Sequence, residues 1–308
     1  MIRNGVIREL VRNRQLLVMF LPVAVLLFLF NYLPLSGLVI PFKNFDFSKG
    51  IFGSDWMHPL FDNFDYLLSS DAAYRAIRNT VLLNALFIAA GLVFEVGFAL
   101  VLNELRNKVF KRITQSLTFL PFFISWIVVG VFAYNLLSYE NGAINRFLEW
   151  LGMQPVDFYS KASWWPIILT IALRWKTTGY GTIIYLAALT SIEGSYYEAA
   201  SIDGASRWQQ IRYISIPMLR PTIIILTLLA VGRIMNADFG MFYAMVGDAT
   251  LLFPTTDVID TLVYRSLRKS GDIGMASAAG FLQSVIAFAL VLASNYAARR
   301  VDRDSAIF

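Results

Sequence analysis

Residues 198–221 read EAASIDGASRWQQIRYISIPMLRP, a hydrophilic run set between two long apolar stretches. Ser195 stands three residues before Glu198, the spacing of a capping box, and Glu198, Ala199 and Ala200 favour helix. Gly204 supplies the backbone freedom of a sharp turn. Trp208, Ile211 and the Tyr213–Ile214 pair then recur at roughly helical spacing, and Pro217 and Pro221 are expected to break the pattern before the next apolar stretch. The run therefore reads as a short helix, a glycine turn and a second helix. A polar helical hairpin hung between membrane helices needs a partner on its side of the bilayer, so this chain is expected to be one part of a larger assembly.

Outward from the hairpin, the 308 residues are 57% hydrophobic and 15% charged, against about 25% charged in soluble domains. Six apolar stretches are long enough to cross about 30 Å of hydrocarbon at about 1.5 Å per residue: 16–40, 80–102, 113–137, 164–189, 222–246 and 275–297. The fold class expected is all-α, a polytopic membrane protein of six transmembrane helices with a cytoplasmic helix-turn-helix loop. An even number of spans puts both termini on one side. The N-terminal tail, the 103–112 and 190–221 loops and the C-terminal tail carry 14 Lys/Arg and seven acidic residues. The opposite loops, 41–79, 138–163 and 247–274, carry nine Lys/Arg and twelve acidic residues. The positive-inside rule then places the termini and the hairpin in the cytoplasm. The net charge of +5 is read as cytoplasm-facing Lys and Arg and not as a nucleic-acid surface. The chain has no cysteine and one histidine, His58, which excludes thiol catalysis, a His-rich metal site and a catalytic triad.

Three segments follow. Residues 1–79 hold an N-terminal cytoplasmic tail, a first helix read as an uncleaved signal-anchor, and a long outer loop. Residues 80–300 form the core, with five of the expected membrane helices and the hydrophilic loop at 191–221, and residues 301–308 are a cytoplasmic tail. The outer loop is dense in aromatics, among them Phe42, Phe47, Phe52, Trp56, Phe61 and Phe64. They suit an aromatic belt on the rim of the bundle or a docking surface for an extracytoplasmic partner.

The hairpin resembles the EAA loop of permease subunits in binding-protein-dependent ABC importers. That family's form is Glu-Ala-Ala, three residues, Gly, then about a dozen residues to a proline, matched here by Glu198, Ala199, Ala200, Gly204 and Pro217. Asp203-Gly204-Ala205 and the Pro217/Pro221 pair are similar to the carbohydrate branch, of the alginate or pectin oligosaccharide kind. WKTTGYGTIIYLAAL (175–189), DVIDTLVYRSL (257–267) and GMASAAGFLQSVI (274–286) extend the resemblance over most of residues 75–300. The resemblance implies that Glu198, Ala199, Ala200, Asp203, Gly204, Ala205 and Pro217 couple to a separate ATPase. It implies two ATPase subunits, a second homologous permease, an extracytoplasmic solute-binding protein, an oligosaccharide substrate and a bacterial inner-membrane location. This chain has no G-x-x-x-x-G-K-[ST] loop, so ATP and Mg are expected on the partner ATPases and no cofactor here. On this reading the chain is not an enzyme.

Few ionisable residues fall inside the expected spans: Glu95, Arg174, Lys176, Arg233 and Asp238. Each is costly at mid-bilayer and should face a bundle interior or a water-filled cavity. The run 232–240 looks like a loosened or kinked span, tolerated only where it lines a cavity or is buried in protein. In the family the spans flanking the loop supply the sugar contacts, which points to Trp175, Lys176, Tyr180, Arg233, Asn236 and Asp238. Arg174, Lys176 and Arg233 further suggest an acidic, uronate-bearing sugar, because guanidinium pairs bidentately with carboxylate. The alternatives are neutral oligosaccharides, with the charges spent on internal pairs such as Glu95 with Arg174 or Arg233, or a stand-alone secondary transporter, which would leave the hairpin without a role.

Overall fold

The computed structural model describes residues 12–301; residues 1–11 and 302–308, on which the expected cytoplasmic termini fall, lie outside the described residues. Helix dominates, and the one sheet among the described residues is a two-stranded antiparallel ribbon of β1 (Lys43–Asn44) and β2 (Asp55–Trp56). An apolar chain in lipid must satisfy its backbone within each segment, and helix does so.

Among the described residues four helices are long and apolar enough to cross a membrane: Arg14–Phe42, Asp71–Glu104, Arg207–Gly232 and Ile273–Ala297. The first is α1 (Arg14–Leu27) continued by a π turn and a 3-10 stretch to Phe42. Short α2 (Asp62–Ser69) precedes α3 (Asp71–Glu104). A fifth candidate is bent by 97°, with α4 (Lys108–Phe119) and its 3-10 end on one side and α5 (Trp126–Leu137) on the other. After α6 (Ala143–Trp150) comes α7 (Trp165–Thr190), whose 26 residues span about 39 Å at 1.5 Å each. It is long enough to cross, but Arg174, Lys176 and its threonines interrupt its apolar run.

The hairpin consists of α8 (Gly194–Ile202) and α9 (Arg207–Gln210), the latter running through a π turn at Ile211–Ser215 into α10 (Ile216–Gly232). Then follow α11 (Phe239–Met245), α12 (Ile259–Arg265) and α13 (Ile273–Val301).

Three expectations need correction. The stretch 113–137 is not one straight span: Pro121 sits in the 3-10 turn, and Ser125 caps α5 by accepting from Val128 N. The stretch 222–246 stops at Gly232 and resumes at Phe239, so the loosened run 232–240 is a true break. Pro217 and Pro221 do not break the chain before the span: one helix runs from Arg207 to Gly232. The π turn shifts the hydrogen-bond ladder just ahead of Pro217, and Pro221 is carried inside α10.

Three packed clusters organise the bundle. Leu83, Phe87, Trp165, Leu169, Met241 and Phe242 join α3, α7 and α11. Leu67, Ala76, Met235, Ile259 and Ala278 join α2, α3, α12 and α13. Ala99, Leu102, Leu186, Leu189 and Leu219 join α3, α7 and α10 beside the hairpin. Between the first and third clusters α3 and α7 stay in close contact at Gly91, Glu95, Arg174 and Gly181, and the apolar core beside them is interrupted. Of the outer-loop aromatics, Phe42, Phe61 and Phe64 pack edge-on or tilted against one another, and Phe42 and Phe64 meet Phe281 of α13 edge-on.

Candidate functional site

The interruption is a cavity of about 430 Å³ walled by α3, α7, α10 and the break after Gly232. Its polar lining comprises Asn84, Glu95, Arg174, Thr177, Tyr180, Thr227, Arg233, Asn236 and Asp238. Tyr180, Arg233, Asn236 and Asp238 were expected to contact sugar, and the structure brings these four together.

Trp175 and Lys176 do not line it. Trp175 faces a separate apolar groove with Val129, Phe132 and Ile171. Lys176 is buried, and its Nζ donates to the carbonyls of Phe122 (2.8 Å) and Ile124. Its ammonium also lies near the Phe122 and Trp126 rings. It caps the orphan carbonyls at the bend between α4 and α5, where the helical ladder stops. Tyr180 reaches the cavity with its ring stacked 4.5 Å from that of Phe122.

The basic residues therefore have different tasks. Arg174 Nη1 donates to Glu95 Oε1 at 2.9 Å, the internal pair weighed from sequence. Arg233 closes α10 as its C-terminal cap, and its guanidinium meets no partner among the described residues. Asp238 borders the cavity, yet its carboxylate accepts from Trp126 Nε1 at 2.6 Å and caps α11 through Met241 N at 3.2 Å.

The break itself is held by side chains from other helices. Asn84 Nδ2 donates to Ile234 O at 2.8 Å and Asn236 O at 3.3 Å. Gln283 Nε2 donates to Met235 O at 2.6 Å and Asn236 Oδ1 at 3.0 Å. Asp260 Oδ2 accepts from Ala237 N at 2.9 Å. Sequence reasoning missed Asp260 and Gln283. The legible signal for Gln283 was a lone amide in an apolar window.

At the hairpin, Gly204 takes φ +80° at the turn, the left-handed conformation that favours glycine. Ala205 N and Gly204 N donate back to Ala200 O and Ser201 O, closing α8. The capping box lies at Ser206 and Gln209, not at Ser195 and Glu198. Glu193 is the N-cap of α8, and Ser195 Oγ donates to its carboxylate at 3.4 Å. Glu198, Ala199, Asp203, Gly204 and Pro217 are exposed, and Ala200 and Ala205 half-buried. The Glu198 and Asp203 carboxylates meet no partner among the described residues. Ile202 and Trp208 stand 86% and 69% exposed beside them, a surface with apolar and acidic groups together.

The family model for the binding-protein-dependent transport system inner membrane component matches residues 87–303. The polygalacturonan/rhamnogalacturonan transport system permease protein YteP of Bacillus subtilis is 30% identical over 302 residues, covering 98% of this chain and 93% of that one. The structure is similar to a chain of a bacterial ABC transporter involved in the import of the acidic polysaccharide alginate. The TM-score is 0.88 and identity 32%, over 97% of this chain and 99% of that chain. A second solved structure, a bacterial alginate ABC transporter in complex with an alginate pentasaccharide-bound periplasmic protein, has TM-score 0.86 and 33% identity, over 96% and 97% of the two chains.

Proposed function

The chain belongs to the binding-protein-dependent transport system inner membrane components, as a permease of a sugar ABC importer, and on that premise we propose that its cargo is an acidic, uronate-bearing oligosaccharide recognised by Arg233. It is a transport component and not an enzyme. One observation carries the proposal: of the basic residues at span depth, among the described residues, Arg233 alone presents an unpartnered charge to the cavity. Arg174 is neutralised by Glu95, and Lys176 is turned to backbone carbonyls. A guanidinium fork matches a carboxylate bidentately. Asn236 and Tyr180 supply an amide and a ring face for hydroxyls and sugar C–H groups. The cargoes of the relatives, alginate and polygalacturonan, are in keeping with this.

In the same reading, α7 is the sixth span, and the charge bias puts both termini and the hairpin in the cytoplasm. Residues 191–221 seat in a separate ATPase that binds ATP and Mg. The working assembly has two such ATPases, a second homologous permease and an extracytoplasmic binding protein. Movement of the hairpin, which is continuous with α10, shifts Arg233 at the far end of that helix.

The test is ATPase stimulation of the reconstituted importer by acidic and neutral oligosaccharides of equal length. Arg233→Gln is expected to lose stimulation by the acidic sugars about tenfold or more, the worth of one charged hydrogen-bonded contact, with the neutral response kept. Equal loss for both classes rejects acidic cargo and leaves neutral oligosaccharides as the substrate.

A further inference from the structure

We propose that Gln283 and Asp260 are positioning residues that set the preference for acidic cargo from outside the cavity, by fixing the break that carries Arg233 and Asn236. The inference rests on the assignment of Arg233 as the carboxylate reader. Neither residue lines the cavity. Between Gly232 and Phe239 the backbone leaves the helix at span depth, where an unmet carbonyl or N–H has no water to turn to. The carbonyls of Ile234, Met235 and Asn236 and the N–H of Ala237 are all met, and every partner is a side chain from another helix.

Gln283 does the most. One amide group binds Met235 O and Asn236 Oδ1 and lies 3.5 Å from Asp260 Oδ2. It thereby orients the Asn236 side chain as well as the backbone. Asp260 fixes the next peptide through Ala237 N. Between the two, the Met235 side chain is buried against Ile259, Ala278 and Ala279, so the turn is anchored on both its polar and its apolar side. Asn236 N in turn donates to Arg233 O at 2.9 Å, which couples the turn to the direction in which Arg233 leaves α10. If the amide and the carboxylate are removed, the freed peptide groups must find other partners, and the register of residues 233–236 changes with them.

The experiment uses the whole importer, with partner subunits and binding protein, in lipid nanodiscs. The readout is the ratio of ATPase stimulation by a uronate tetrasaccharide to that by a neutral hexose tetrasaccharide. Gln283→Met keeps the shape and loses both donors; Asp260→Leu loses the acceptor. Each is expected to lower the ratio about tenfold, and Gln283→Met is expected to add nothing in an Arg233→Gln background. Asp260→Asn, which keeps an oxygen for Ala237 N, is expected to retain the ratio. Gln283→Asn, one methylene shorter, is the milder second variant and should shift the ratio the same way. A ratio unchanged in Gln283→Met and Gln283→Asn beside a shifted Arg233→Gln overturns the inference alone. A ratio unchanged in Arg233→Gln itself overturns the acidic-cargo reading and takes the inference with it.

Discussion

Arg174 on α7 and Glu95 on α3 form an ion pair of 2.9 Å in space that exists because Gly91 and Gly181 have no side chains. A Cβ on Gly91 would overlap the Arg174 guanidinium, and one on Gly181 would overlap the Glu95 carboxylate. The pair joins the two most extensively packed helices at the cavity wall. Breaking it by removing one partner leaves a charge uncompensated in a poorly solvated place. Glu95→Leu is expected to destabilise the importer by about 3 kcal/mol, and the double variant with Arg174→Met should recover most of that loss. Thermal inactivation of the purified complex orders the three proteins; a single variant as stable as the parent would contradict this role.

Two glycines of α7 lie on different faces of the helix. A Cβ at Gly179 would strike the backbone carbonyl of Thr118 on α4, and one at Gly181 would strike the Glu95 carboxylate, which cannot turn away without leaving Arg174. Gly179→Ala should therefore cost about 1–3 kcal/mol through overpacking, and Gly181→Ala should cost a comparable amount that largely disappears in the Glu95→Leu, Arg174→Met background. The midpoint of thermal unfolding compares them, and an equal cost of Gly181→Ala in both backgrounds would show that the ion pair is not what fills the space.

Lys176 is expected to behave unlike Arg233 although both are cations at span depth. Lys176→Met frees the carbonyls of Phe122 and Ile124 at the α4–α5 bend, a loss of about 1.5–3 kcal/mol for a charged hydrogen-bonded group. Stability should fall while the ratio of acidic to neutral stimulation stays put. A ratio that shifts as in Arg233→Gln would return Lys176 to the sugar site.

The hairpin can be probed chemically because the chain has no cysteine. Ile202→Cys places a single thiol at a highly exposed position at the end of α8. Maleimide should label it rapidly in the permease alone and at least about tenfold more slowly once the ATPase subunits are bound, as expected for a side chain taken into a well-packed interface. Equal rates would mean that the ATPase docks elsewhere.

The hairpin was largely legible in the sequence because its determinants are local: Gly204 at the turn, short helices on either side, and polar residues throughout. The first, second and last apolar stretches were legible for the same reason. The bend at residues 124–125 and the full extent of the break after Gly232 were not, because what stabilises them lies far along the chain. Lys176 holds the bend from about fifty residues away, and Asn84, Asp260 and Gln283 hold the break from three other helices. A cation in an apolar window reads the same whether it caps carbonyls, pairs with a carboxylate or faces a cavity. Lys176, Arg174 and Arg233 do one each. Ser195 and Ser206 posed the same difficulty at smaller scale: both precede a Glu or Gln by three residues, and only the second completes a capping box.

The decisive measurement is uptake of a labelled uronate oligosaccharide into proteoliposomes holding the permease pair, with and without the ATPase subunits and ATP. Uptake that requires both, and that Gly204→Pro abolishes while leaving the protein inserted, is the expected result. Uptake by the permease pair alone, or undiminished uptake in Gly204→Pro, would contradict a hairpin that receives its drive from a separate ATPase.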